Sequence, residues 1–385
     1  MPTPQLRTRL PAVGTTIFST MSALAARHGA VNLGQGFPDF DCDPQLPELV
    51  GAAMREGHNQ YPMMTGAPVL RTAISEKIAA QYGRHYDAAS EITVTAGATQ
   101  ALTTAILCCV HPGDEVIVIE PVYDSYVPAI TLAGGVAVAV AMQLDEAGYS
   151  VPWERVAAAV TPRTRLIIVN TPHNPTGTVL RAADIAALCD IVRGTELLIL
   201  SDEVYEHMVY DGQQHASLCR TAELAERSFV VSSFGKTYHV TGWKIGYVAA
   251  PAALTAEFRK VHQYNVFSIN TPMQHGIAAY MADPAPYLGL SAFYQRKRDL
   301  FRDGLRDSRF TLLPADGTYF QCVRYDAISP ILEAEFAQWL TTEIKVAAIP
   351  VSAFYGAGRE SGIVRFCFAK QDATLRLALA RLARL

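Results

Sequence analysis

The 385-residue sequence predicts an α/β fold, a mainly parallel sheet wrapped by helices and followed by a smaller α+β unit. Three observations predict it. From about residue 90 to 275, short β-branched runs alternate with longer stretches whose apolar residues recur three and four apart. Those runs are apolar at nearly every position, as suits strands buried on both faces. From about residue 280 the pattern changes to a charged helical stretch and alternating strands.

Taken in order, "EITVTAG" reads as a strand and "ATQALTTAILCCV" as the helix after it. "DEVIVIEP" is the next strand. Ser125 to Leu144 then runs without a charge, but Pro128 and the Gly134–Gly135 pair divide it into a buried helix, a turn and the strand "VAVAVAM". A membrane span would not be so interrupted. "WERVAAAV" and "AADIAALCDIVRG" have helical periodicity, and "RLIIVN", "LLILSDEVY" and "SFVVSSF" read as strands. In the tail, "AFYQRKRDLFRDGL" is a helix and "TYFQCVRY" and "IVRFCFA" are strands.

Composition narrows the function. Half the residues are hydrophobic, 18% are charged and the net charge is −4 with no basic cluster, which disfavours nucleic acid as a partner. The seven cysteines include no Cys-x-x-Cys pair, so neither a disulfide framework nor a metal site is expected. The start "MPTPQLRTRL" has no apolar run suited to a signal-peptide core. A cytoplasmic protein without a membrane segment is the expectation.

In open α/β sheets ligands gather outside the carboxyl ends of the strands. Five of those ends carry chemistry: Gly97, Tyr123, Asn174, Asp202 and Lys236. Lys236 stands eight residues before Lys244 in "SSFGKTYHVTGWKIGY", with no acid between them. An arbitrary loop lysine is a solvated one. A lysine flanked by small residues, near another cation and partly desolvated, has a lowered pKa and can bond to an aldehyde. Pyridoxal 5′-phosphate is the obvious aldehyde, and it makes further demands. Its phosphate needs amides at a helix N-terminus, which Gly97, Ala98 and Thr99 could offer, with Ser233 adding a hydroxyl and Lys244 a charge. Its ring nitrogen needs a carboxylate, and Asp202 ends an apolar strand where an unpaired charge is costly. Tyr205 and Asn174 could hydrogen-bond the phenolic oxygen, and Tyr123 could stack on the ring. Taken singly, these would be a core tyrosine, a turn asparagine and a packing aromatic. Arg365 interrupts "GIVRFCFA", where it is either an edge residue reaching water or a fork for a carboxylate.

These blocks, with "NLGQGFPDFD", "NQYPMMTG", "NTPHNPTGTV", "SDEVYEH", "FSINTPMQ" and "GTYF", occur in one order from about residue 12 to 370. In that order the chain resembles the pyridoxal-phosphate-dependent class I/II aminotransferases of fold type I. "GTTIF" and "SSFGKTYH" make it most similar to the branch holding the methionine and the kynurenine or glutamine aminotransferases. The resemblance implies a seven-stranded large domain over 40–280 and a small domain made of 1–39 with 281–385. It implies catalytic roles for Lys236, Asp202 and Tyr205. Gly97, Ala98, Thr99, Tyr123, Asn174, Ser233, Lys244 and Tyr61 would hold the cofactor. Arg365, Gly36, Asn174, Phe18 and Phe267 would meet the substrate, with Tyr61 and Phe267 crossing from the partner subunit of a homodimer. His173 stands where many members of the wider family have asparagine, a usual departure in this branch.

The implied reaction moves an amino group from an amino acid to a 2-oxo acid. Phe18, Tyr61, Tyr123 and Phe267 are aromatic and no second arginine is identified for a dicarboxylate, so neutral donors such as methionine or phenylalanine are expected. The alternatives are a kynurenine or glutamine aminotransferase with cysteine-conjugate β-lyase activity, a cofactor-binding regulatory module and a purely structural protein.

Overall fold

The computed structural model describes residues 6–356 and 358–385. Its main sheet has seven strands: β1 (Ile92–Thr95), β2 (Glu115–Glu120), β3 (Val136–Ala141), β4 (Thr164–Asn170), β5 (Leu198–Asp202), β6 (Ser228–Ser233) and β7 (Gly246–Ala249). Their order across the sheet is β1-β7-β6-β5-β4-β2-β3. The five strands from β6 to β3 pair in parallel. β7 runs antiparallel to both of its neighbours.

Period-two alternation sends successive side chains to opposite faces. Ile117, Ile119, Ile167, Val169 and Ile199 pack on one face with Leu70, Ile74 and Ile78 of the helix Pro68–Tyr82 and Leu188 of the helix Ala182–Val192. Val116, Val118, Leu166, Ile168 and Leu200 pack on the other with Ala101, Leu102 and Ala105 of the helix Gly97–Cys109. Each fully buried Leu, Ile or Val contributes about 1.5–3 kcal/mol relative to exposure, so continuous apolar strands are what a two-faced sheet demands. One strand departs from the expected two-sided burial. β3 is hydrogen-bonded to β2 alone, and at this edge Val136 is 52% exposed. Ahead of it the uncharged segment folds as the helix Tyr126–Ala133, closed by Gly134 at φ +83°.

A second core joins the two ends of the chain. Met21 of the helix Ile17–His28 and Leu33 pack with Phe301, Phe310, Phe336, Phe366 and Leu379. Val31–Asn32 pairs in parallel with Val346–Ala347. A four-stranded sheet made of Thr311–Leu312, Phe320–Arg324, Ile363–Cys367 and Ile349–Pro350, in that order, carries Arg365 at its centre. Among the described residues no helix is long and apolar enough to cross a membrane.

Candidate active site

The parallel strands β2, β4, β5 and β6 and the like-directed β1 end at one crevice, and the antiparallel β7 begins there. A cavity of about 360 Å³ lies in it, and thirteen of the fifteen residues singled out in the sequence line it. Tyr61 and Phe267 do not. They form an edge-to-face pair at 5.2 Å on the surface, 79% and 45% exposed.

Lys236 lies on the one-turn helix Phe234–Thr237 that β6 feeds directly. Its Nζ donates to the Gly36 carbonyl at 3.0 Å and to the Tyr319 hydroxyl at 2.6 Å. Loss of water lowers its pKa to about 8; Arg365 and Lys244 push the same way, while Cys367 and Asp202 oppose. The expected desolvated lysine among cations is therefore present. Gly36 turns its carbonyl to the amine.

Asp202 closes β5 and is buried. Burial pushes its carboxyl up to about 6, opposed first by the Tyr126 hydroxyl, which donates to it at 2.6 Å. Its sequence neighbours are differently served: Glu206 has Lys77 at 2.5 Å and Glu203 has His215 at 2.7 Å. Asp202 forms no such ion pair among the described residues. Asn170 ties the neighbouring strand ends, donating to the Asp202 carbonyl at 2.8 Å and accepting from the Asn174 amide at 2.7 Å.

Gly97 has φ +74°, and a Cβ there would meet Lys244 Cε and Nζ at 3.4 Å. The lysine side chain thus lies over the bare backbone that opens the helix Gly97–Cys109, with Ala98 and Thr99 following. Thr99 Oγ1 and the Tyr123 hydroxyl are 3.4 Å apart. Ser233, the last residue of β6, pairs in register with Gly246.

Arg365 is 1% exposed, so the snorkelling alternative fails. Its Nη1 donates to Asn174 Oδ1 at 2.6 Å and its Nη2 to the Gly34 carbonyl at 3.1 Å, while its buried Nε has no hydrogen-bond acceptor among the described residues. The guanidinium lies 3.8 Å from the Phe320 ring centroid and 5.4 Å from that of Phe18. Tyr205 is buried edge-on to Tyr319, ring centroids 5.1 Å apart. His173 shares a 2.8 Å hydrogen bond with Thr176, and burial lowers its pKa to about 4, so it is neutral at pH 7.

Sequence reasoning missed Tyr319, Tyr126, Asn170, Asp124 and Phe320. The Asp124 carboxyl lines the cavity and is pushed up by burial, which Arg365 opposes. The only signal for Tyr319 and Phe320 was their place in "GTYF" after a turn glycine.

A family model described as aminotransferase class I and II matches residues 29–382. The chain is similar to methionine aminotransferase of Escherichia coli strain K12, 50% identical over 380 residues, which are 98% of each chain. The crystal structure of E. coli YbdL, described with a methionine aminotransferase function, superposes with a TM-score of 0.97 at 50% identity and covers 99% of this chain and 100% of that one. A probable N-succinyldiaminopimelate aminotransferase of Mycobacterium tuberculosis is 41% identical, with 97% of each chain covered. Kynurenine–oxoglutarate transaminase of Dictyostelium discoideum is 34% identical over 97% of this chain and 94% of that one.

Proposed function

Because the chain belongs to the class I and II aminotransferases, we propose that it moves the amino group of methionine, or a similar neutral amino acid, to a 2-oxo acid with pyridoxal 5′-phosphate. The observation that carries this reading is the convergence in one cavity of an amine, a carboxyl group without a cation and a guanidinium without a carboxylate. The residues fit the cofactor. Asp202 forms no direct ion pair among the described residues, a place that a ring nitrogen would fill, and a Cβ at Gly97 would fill the cradle beneath Lys244.

When bound, the cofactor supplies an aldehyde for the amino group and a ring that draws off electrons. Lys236, through its Nζ, would be the residue that holds that aldehyde and gives way to the donor's amine. The freed Nζ would take up the donor's Cα proton and hold it for return, acting as base and then acid. Asp202 would hold the ring nitrogen in its charged form. Asn174 and Tyr205 would hold the phenolic oxygen, Tyr123 would cover the ring, and Ser233, Lys244 and the amides of Gly97–Thr99 would hold the phosphate. Arg365 and the Gly36 amide orient the donor's α-carboxylate, while Phe18 lies beside the side chain.

Neutral donors are favoured because the cationic side chains lining the cavity are Lys236, Lys244 and Arg365, each with a role already. The kynurenine reading rests on a relative at 34% identity against 50% for the methionine enzyme. We further read the chain as a cytoplasmic homodimer in which the exposed Tyr61 and Phe267 serve the partner's site. Steady-state rates over a panel of donors test the assignment. Methionine should lead; aspartate or kynurenine ahead of it would overturn the substrate class. Lys236→Ala should lower turnover by about 10²–10⁴-fold or more, and turnover at the wild-type rate would overturn the role of Lys236.

A further inference from the structure

Tyr319 has no role in the reaction as derived so far, yet its hydroxyl is the closer of the two partners of Lys236 Nζ. The ring is 1% exposed. It is wedged among Phe320 at 4.9 Å, Tyr205 at 5.1 Å and Tyr294 at 5.6 Å between centroids. Its hydroxyl also donates to the Gly36 carbonyl, which itself accepts from Lys236. Amine, phenol and carbonyl thus close a triangle that joins three segments distant in sequence.

The three corners are not equivalent. An ammonium has three donors and no lone pair, whereas a neutral amine has a lone pair that needs a donor. The Gly36 carbonyl can only accept. The phenol can accept from the ammonium or, by turning its hydrogen, donate to the neutral amine. Of the two contacts, only Tyr319 can satisfy Lys236 in both protonation states without moving it. A group that takes up one proton and delivers it elsewhere has need of that.

We propose that Tyr319 is the positioning residue of Lys236, holding the free amine in one place through both of its protonation states. The inference rests on the reading of Lys236 as the proton carrier. The other charged or titratable groups facing the amine, among the described residues, are Arg365 and Cys367 on the strand Ile363–Cys367, Asp202 at the end of β5, Tyr205 just beyond it with its ring centroid 5.6 Å from Nζ, and Lys244 before β7.

Tyr319→Phe keeps the ring and removes the hydroxyl. In the cofactor-free protein, Lys236 is titrated by its rate of labelling with an amine-selective reagent, read by peptide mass spectrometry across pH. The midpoint should fall in the variant. A buried ammonium loses an acceptor, and hydrogen bonds to charged groups are the stronger ones. In the loaded enzyme, exchange of the methionine Cα hydrogen in D₂O should slow by about 10–100-fold at saturation, as positional errors of an ångström do, with KM little changed. Tyr294→Phe removes a buried hydroxyl that has no hydrogen-bond partner among the described residues, and should leave both measurements unchanged. An unmoved midpoint in Tyr319→Phe overturns the inference, and so does exchange at the wild-type rate. Should that variant fail to fold, 3-fluorotyrosine at position 319, a poorer acceptor of nearly the same shape, must lower the midpoint in the same direction. Failure of the underlying reading is seen separately, as wild-type exchange in Lys236→Ala.

Discussion

Asp202 is 3% exposed among the ends of apolar strands, and burial moves its carboxyl from 3.8 up to about 6. Between those two values the folded chain still holds a proton that the unfolded chain has released, so stability falls as pH rises through the window. At pH 7 the buried carboxylate destabilises the cofactor-free protein by on the order of 3 kcal/mol. Asp202→Asn should therefore raise its melting temperature at pH 7, with the gain disappearing near pH 4, while transamination falls about 10²–10³-fold. Calorimetry at the two pH values checks the first part and steady-state kinetics the second. Tyr126→Phe should act oppositely on stability at pH 7, costing about 1–3 kcal/mol by leaving a buried acceptor unmet; a urea titration reads it. Asp202, Lys236 and Arg365 were legible in the sequence because each is a charge in or beside an apolar run, where only a partner explains it. Tyr126 and Tyr319 were not, since a tyrosine in such a run is ordinarily packing. Only the contacts across 76 and 83 residues of chain, to Asp202 and Lys236, distinguish them.

β7 shows how an element can escape a reading by periodicity and still shape the site. Four residues that begin with glycine are too short for a pattern, whereas the β-branched runs of β2, β4 and β6 declare themselves. Gly246 is required by closeness: a Cβ there would lie 2.7 Å from the Ser232 carbonyl oxygen and 3.1–3.2 Å from the backbone of Gly97 and Ala98. All three contacts are backbone, so none can swing aside. Gly246→Ala should cost about 1–3 kcal/mol of overpacking and weaken cofactor binding, measured as a rise in the dissociation constant by fluorescence titration. A second tie lies just behind. Lys77 of the helix Pro68–Tyr82 donates to Glu206 at 2.5 Å and to the Tyr247 hydroxyl of β7 at 2.9 Å, and Ser232 of β6 donates to the same carboxylate. Burial alone would raise the Glu206 carboxyl, but Lys77 and its other partners bring it below the usual carboxylate range. Its stabilisation is present above the ordinary carboxylate pKa and is lost as pH falls. Lys77→Met strands that charge and should cost about 3–5 kcal/mol at neutral pH, a loss that chemical denaturation measures and that shrinks in acid.

At the scale of the whole molecule, the two singled-out residues that miss the cavity are the ones that a second chain would explain. Tyr61 and Phe267 stand on the surface as an edge-to-face pair, 79% and 45% exposed. If they cross into a partner's site, each inactive variant repairs the other. Co-expressing Lys236→Ala with Tyr61→Ala should give hybrids with one intact site, and random pairing of subunits gives about a quarter of wild-type activity. Activity no higher than the mean of the two variants alone would show that sites are not shared. One consequence follows from the way β7 doubles back. Because it is antiparallel, the connection 234–245 leaves the sheet at Ser233 and re-enters at Gly246, its register partner. Lys236 and Lys244 therefore ride on one excursion with both ends pinned to adjoining strands. Such a piece can be transplanted. Exchanging 234–245 between relatives would transfer both lysines as a single cassette and leave Asp202, on β5, to the recipient.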